Sequence, residues 1–491
     1  MPQKLPPVSS LRRIALTAGL LLAAQGPALA QDGAIVKQFD DGGIYEGTFV
    51  DGLQDGVGTY TLPNGYVYSG EWVRGEIRGQ GEARFPNGSV YVGSFVKGKP
   101  EGQGRITYPD GATFEGDWVD GRMTGDGTAS YADGALYTGS FLNGRQNGPG
   151  RMEAADGYIY DGDWVDGVMQ GQARITYADG AVYEGAVVAG ERTGSGRLTR
   201  PDGLDYNGEW ANGQFNGQGR LIQPNGDIYE GTLVNGLLQG EGTMIYASGL
   251  RYIGSFADDQ RHGQGVFEGP DGYRYEGSWV EGKIEGEGTV VYPDGSRYVG
   301  SFVDEKPHGT GQITYPDGST YAGTWVAGVI EGDGVARYAN GIVYEGQFRN
   351  ALTDGTGTIT YPNGYSYTGG WVAGEKEGEG TATYPDGSVY SGAFRGGMRE
   401  GEGVVVLADG FRYEGNWTGG EINGFGRATY ANGDVYVGTF EGGKRSGQGT
   451  LTYVGGQVES GEWQNGALLR NGGEAPPSPA TQDDDAATPT E

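Results

Sequence analysis

The chain has 491 residues, of which 101 are glycine, 21 are proline and none is cysteine. The lack of cysteine excludes a disulfide framework, a thiolate metal site and a cysteine nucleophile. A formal charge of −30 disfavours nucleic acid and anionic lipid head groups as partners, because the field of the whole chain repels both.

The first element in chain order is a leader. Lys4, Arg12 and Arg13 precede the apolar run 14–24, which is too short to span a bilayer comfortably. Ala28-Leu29-Ala30 has the small residues of a cleavage site, so 1–30 reads as a signal peptide cut between Ala30 and Gln31. The expected location is the periplasm, or the outside, of a bacterial cell. Residues 31–44 come next, and Phe39-Asp40-Asp41-Gly42 matches the end of the repeat that follows. That segment is expected to be a half-repeat that caps the first hairpin.

From 45 to 470 the sequence has a period of 23 residues. Eighteen full copies start at an aromatic residue, numbered here as slot zero, from Tyr45 and Tyr68 to Tyr413 and Tyr436; Phe114 replaces Tyr once. A truncated copy starts at Glu459. All nine tryptophans fall in slot four: Trp72, Trp118, Trp164, Trp210, Trp279, Trp325, Trp371, Trp417 and Trp463. The other copies carry Phe in slot four, or Val187 and Leu233. Finding the period decides the fold class before any local reading.

Slots zero, two and four are aromatic, glycine and aromatic, the period of a strand face. Slots eleven, thirteen, fifteen and seventeen are Gly, Gly, apolar and usually Tyr, and read as the returning strand on the same face. Tyr-Pro-Asp-Gly, as in Tyr108-Pro109-Asp110-Gly111, is turn chemistry between copies. The predicted fold is all-β: an elongated, single-layer antiparallel meander of hairpins, rod-like and twisted. Rings are expected to cover the mid-strand glycines. Slot fifteen is Ala in five of the eight complete Trp copies and never in the others, so slots four and fifteen of one copy are expected to touch and share a volume. Residues 471–491 are Pro, Ala and Asp rich and are expected to be a disordered acidic tail.

The run Tyr-x-Gly-x-Trp/Phe-x-x-Gly, then Gly-x-Gly, then Pro-Asp-Gly resembles the MORN repeat family over about 45–466. The resemblance implies a twisted sheet of consecutive hairpins and a scaffold or adaptor role. Some family members are linked to membrane lipids, and several carry a lipid-kinase or methyltransferase domain, for which this chain has no segment.

No residue qualifies as catalytic, cofactor-binding or metal-binding. His262 and His308 are the only histidines, both in slot ten, where a structural role is expected. Asp110, Asp133, Asp179, Asp294, Asp317 and Asp386 in slot nineteen suit turns and lack the nine-residue spacing of calcium β-rolls. Copies seven to ten are irregular: Arg200, Gln223 and Gly269 replace the slot-seventeen Tyr, and Asp259 a turn Gly. The expected function is a non-enzymatic, secreted or periplasmic scaffold that binds protein partners. The first alternative is a binder of envelope polysaccharide or peptidoglycan along an aromatic groove. The second is membrane-lipid association as in some family members.

Overall fold

The computed structural model describes residues 34–469. The leader, its Ala30–Gln31 junction and the segment 470–491 lie outside the described residues. Among the described residues there are 39 β-strands and no helix, in an antiparallel meander of hairpins. Two compact units divide the chain: one holds 34–178 with Val188–Gly190, the other Asp179–Val187 with 191–469.

In the first unit, β1 (Ile35–Gln38) pairs with β2 (Ile44–Val50), which pairs with β3 (Leu53–Thr61), and so on in chain order. In the second unit the same order runs to β38 (Val458–Gln464) and β39 (Ala467–Leu468). The irregular copies within that unit keep their register, as in Tyr229↔Met244 and Tyr252↔Phe267.

Each hairpin follows from its turn residues. Slots six and seven take positive φ, as at Asp51 (50°) and Gly52 (78°). Two left-handed residues make the two-residue loop whose twist matches the strands. Between copies, the Tyr108 N–H donates to the Ala112 carbonyl at 2.8 Å and the Gly111 N–H to the Tyr108 carbonyl at 3.0 Å. The slot-nineteen carboxylate accepts the next free N–H: Asp110 takes that of Ala112 at 3.0 Å, and Asp386 that of Ser388 at 2.9 Å. The slot-nineteen Asp is thereby a turn residue.

The two glycines of the returning strand have different causes. Slot thirteen lies under the slot-zero ring: a Cβ on Gly334 would stand 2.5 Å from Tyr321 ring atoms. Slot eleven does not share that face, contrary to the alternation expected from the sequence. The register slips between Gly323 and Trp325, so Gly323 faces Gly334 while Trp325 faces Ile330. The extra residues form a bulge, and Gly332 sits in it at φ 69°. A Cβ there would point at the slot-three side chain, Thr324, on the opposite face.

Candidate binding faces

One face of the sheet carries the rings. The slot-zero tyrosines are buried, and each hydroxyl donates to the slot-three carbonyl of its own copy, as Tyr321 does to Thr324 at 3.1 Å. Burial raises their pKa values; Tyr91, Tyr206 and Tyr344 are each pushed up to about 12. Neighbouring rings meet edge to face. Tyr298 stands 5.2 Å from Phe302 in its own copy and 5.2 Å from Trp325 in the next. That is the geometry the ring quadrupoles prefer.

All nine tryptophans are buried, between 1 and 6 % exposed. Each indole N–H donates to the slot-thirteen glycine carbonyl of the preceding copy: Trp72 to Gly58 at 3.3 Å, Trp210 to Gly196 at 3.0 Å, Trp463 to Gly449 at 3.1 Å. The indole therefore leans backward across the strand boundary. Where the preceding slot fifteen is aromatic, the contact is direct: Tyr60–Trp72 at 5.9 Å and Phe267–Trp279 at 6.0 Å between centroids. The expectation that Trp325 and Ala336 of one copy share a volume is corrected accordingly. Ala336 faces Tyr321 across the hairpin, and the Tyr321 ring fills the space over Gly323 and Gly334. The larger ring meets the larger slot-fifteen residue of the copy before it.

A further set of residues in slot nine went unread in the sequence. Tryptophan copies carry Ile77, Met123, Met169, Phe215, Ile284, Ile330 and Ile422 there, and Lys376 once. Several of the intervening copies carry Arg. Each such guanidinium lies over the next Trp: Arg192 over Trp210 at 4.4 Å, Arg261 over Trp279 at 4.1 Å, Arg399 over Trp417 at 4.7 Å, Arg445 over Trp463 at 4.6 Å. Arg192, Arg261 and Arg445 also donate to the slot-seven carbonyl beside it, at 2.7–2.8 Å. The signal was present: slot nine changes type in step with slot four. Lys376 is buried and donates to the Tyr365 hydroxyl at 2.9 Å.

Slot ten has a common task. In most copies its side chain accepts the N–H of the left-handed slot-six residue in the next copy, as Glu331 does from Asn350 at 3.1 Å. His308 does the same for Ala327 through Nδ1 at 3.4 Å. This is a backbone cap. Among the described residues no group of three or more acidic or histidine side chains could hold a metal ion.

In the first unit the aromatic face holds open grooves. One of about 650 Å³ is lined by Tyr91, Pro100, Ile106, Tyr108, Trp118 and Met123. The opposite face is polar and cross-linked strand to strand: Thr358 to Thr368 at 2.9 Å, Gln218 to Thr232 at 2.6 Å, Arg220 to Glu230 at 2.9 Å. In the second unit it holds a groove of about 850 Å³ between Glu379, Glu402, Glu414 and Arg427, with Phe425 61 % exposed beside it.

A chain of in-register hairpins, with one packed ring face and one polar face, is a β-repeat scaffold. It belongs to the MORN repeat family: the family model described as MORN repeat matches eighteen consecutive segments, from 45–65 and 68–90 to 413–435 and 436–458. No curated protein matches the chain. Among solved structures it is similar to the SAS-4 (dCPAP) TCP domain of Drosophila melanogaster, in complex with a proline-rich motif of Ana2, at 18 % identity and TM-score 0.20, covering 40 % of this chain and 88 % of that one. It is similar to the TCP10 domain of Danio rerio CPAP at 16 % identity and TM-score 0.18, covering 54 % of this chain and 99 % of that one. At these scores neither likeness bears on the architecture or function of this chain. Among the described residues no helix is long and apolar enough to cross a membrane.

Proposed function

We propose that the protein is a non-enzymatic, exported scaffold that binds protein partners through its polar face and hairpin tips. The burial of the Trp and Tyr rows carries this reading. Their ring faces pack on each other, and their polar atoms bond to backbone, so they hold the sheet together. What remains accessible is repeated and largely polar and acidic, interspersed with exposed slot-five residues such as Val73, Val165 and Val372. A row of equivalent sites suits a multivalent adaptor, in which weak contacts sum. The export half of the proposal rests on residues 1–30, and N-terminal mass analysis of envelope-fraction protein tests it. The expected first residue is Gln31; protein still beginning at Met1 would refute it.

The second reading is binding of envelope polysaccharide or peptidoglycan. The open grooves on the aromatic face of the first unit favour it, since Tyr108 and Phe85 line one of them. One experiment separates the two. Peptidoglycan fragments and partner proteins recovered by cross-linking are each titrated while tryptophan emission is followed, with and without Glu402→Arg and Glu414→Arg. The scaffold reading expects no saturable emission change with sugar, and partner binding that charge reversal weakens. A saturable, length-dependent emission change with sugar would replace it. Membrane-lipid association is disfavoured by the charge of −30.

A further inference from the structure

Two broken copies stand at the ends of the array, and they are complementary halves of one hairpin. In β1, Lys37 faces Tyr45 and Ile35 faces Gly47. Leu451 and Gly449 hold the same places against Glu459 and Gly461. Residues Ile35–Gln38 therefore occupy slots thirteen to sixteen, and the Phe39–Gly43 turn follows with the usual hydrogen bonds. At the other end, the copy that starts at Glu459 supplies slots zero to ten, through Leu469. Among the described residues, β1 pairs on one side only. Among the described residues, the outer side of β38 pairs at Trp463↔Leu468 and Gln464↔Ala467 and takes one further hydrogen bond, from the Leu469 N–H to the Glu462 carbonyl at 2.8 Å.

The two halves depart from the repeat in matching ways. Slot zero is aromatic in every full copy, and here it is Glu459. Slot fifteen is uncharged in every full copy, and here it is Lys37. Slot thirteen is Gly in every full copy except for Ala173, and here it is Ile35. Within a hairpin, slot zero faces slot fifteen and slot two faces slot thirteen, as Tyr436↔Leu451 and Gly438↔Gly449 do. Slot thirteen must be bare because the slot-zero ring covers it: a Cβ on Gly449 would stand 2.0 Å from the Tyr436 hydroxyl oxygen. Glu459 brings no ring, so the slot-thirteen position facing Gly461 is not kept bare by a tyrosine; the Leu468 side chain lies beside Gly461 instead.

We propose that copies of this protein join head to tail, with β38 of one copy taking up β1 of another and completing a hairpin between them. The repeat register sets Val458 against Gln38, Glu459 against Lys37, Ser460 against Val36 and Gly461 against Ile35. Ile35, Val36 and Val458, more than half exposed in the single chain, lie in the new strand pair. Glu459 accepts a hydrogen bond from Tyr453 at 3.0 Å, and the Lys37 ammonium lies 5.7 Å from the Phe49 ring, so both charges are already held at their strands. Opposite charges in facing slots select this joint, whereas two like ends would bring two lysines or two glutamates together.

The absence of native cysteine makes the test direct. Full-length Val36→Cys and Ser460→Cys variants place single thiols in facing slots, and both positions are exposed. Mixed under mild oxidation, they are expected to form a covalent heterodimer at least about ten-fold faster than either forms a homodimer alone. Adding Lys37→Glu to the first variant slows the mixture about ten-fold, and Glu459→Lys in its partner then restores the rate. A chain with both cysteines is expected to give a ladder of covalent multimers. A mixture no faster than the single variants, a rate indifferent to charge reversal, or a bond closing within one chain would each overturn the proposal. Circular dichroism of every variant establishes that the sheet is intact.

Discussion

The Trp279 ring stands 6.0 Å from the Phe267 ring in the copy before its own, and its indole N–H donates to Gly265 in the same strand as Phe267. The joint between copies is thereby as specific as the hairpin itself. Removing a tryptophan from one copy is therefore expected to weaken the copy before it as well as its own.

The energetics of that joint are measurable by hydrogen exchange, which resolves local stability in a repeat array. Trp279→Ala is expected to cost on the order of 3 kcal/mol locally, with protection lost in both the 252 and 275 copies. In a double-mutant cycle Trp279→Ala should couple more strongly to Phe267→Ala than to Val290→Ala, the slot-fifteen residue of its own copy. The reverse order would return the contact to within one copy.

Slot thirteen has no room for a side chain beneath the slot-zero ring. Gly334→Ala is expected to destabilise its hairpin by about 1–3 kcal/mol, because the new Cβ meets the Tyr321 ring. In a Tyr321→Leu background the same change should cost much less. Local proteolysis rates in urea compare the two. The chain shows how the site adapts: Ala173 fills slot thirteen once, and there the Tyr160 hydroxyl donates to both Asp163 and Gln170 carbonyls, at 2.8 and 3.2 Å.

Slot six holds left-handed alanines at Ala327 (φ 49°) and Ala373 (φ 48°). Asn tolerates that conformation better than Ala, so Ala373→Asn is expected to stabilise its hairpin by roughly 0.5–1 kcal/mol. The Ala373 N–H that donates to Asp354 at 3.2 Å is kept. A thermal melt that falls would contradict the strain argument.

Alkaline pH tests the tyrosine row as a whole. Burial raises the folded pKa of Tyr91 and Tyr344 to about 12, above the ordinary value of 10.0. A raised pKa means that the folded state binds the proton more tightly. This contribution to stability is complete below pH about 10 and is lost as pH rises toward about 12. Absorbance at about 295 nm should show a minor population of tyrosines ionising near the normal value. The slot-zero row should follow only as the sheet opens, in step with the circular dichroism. A single titration near pH 10 with the sheet still folded would refute burial of the row.

The period, the hairpins and both turn types were legible in the sequence, because they rest on local chemistry. Asp110-Gly111 and Asn235-Gly236 state a backbone conformation by themselves, and eighteen repetitions remove ambiguity about register. The aromatic row was legible for a similar reason, since Tyr, Gly and Trp alternate with the period of a strand. Three things needed the folded chain. The bulge at Gly332 turns slot eleven to the other face, and a bulge breaks the two-residue parity on which any face assignment depends. Each Trp meets rings of its own copy, as Trp325 meets Tyr321, but the acceptor of its indole N–H lies in the preceding copy, because the direction in which a side chain leans is settled by the neighbouring strand. Arg261 reaches Trp279 for the same reason: eighteen residues separate them in sequence, and only strand pairing brings the guanidinium over the ring at 4.1 Å. Sequence by itself determined what each hairpin is; the tertiary structure decided how hairpins grip one another, because that grip is made of contacts across strands that no local pattern encodes.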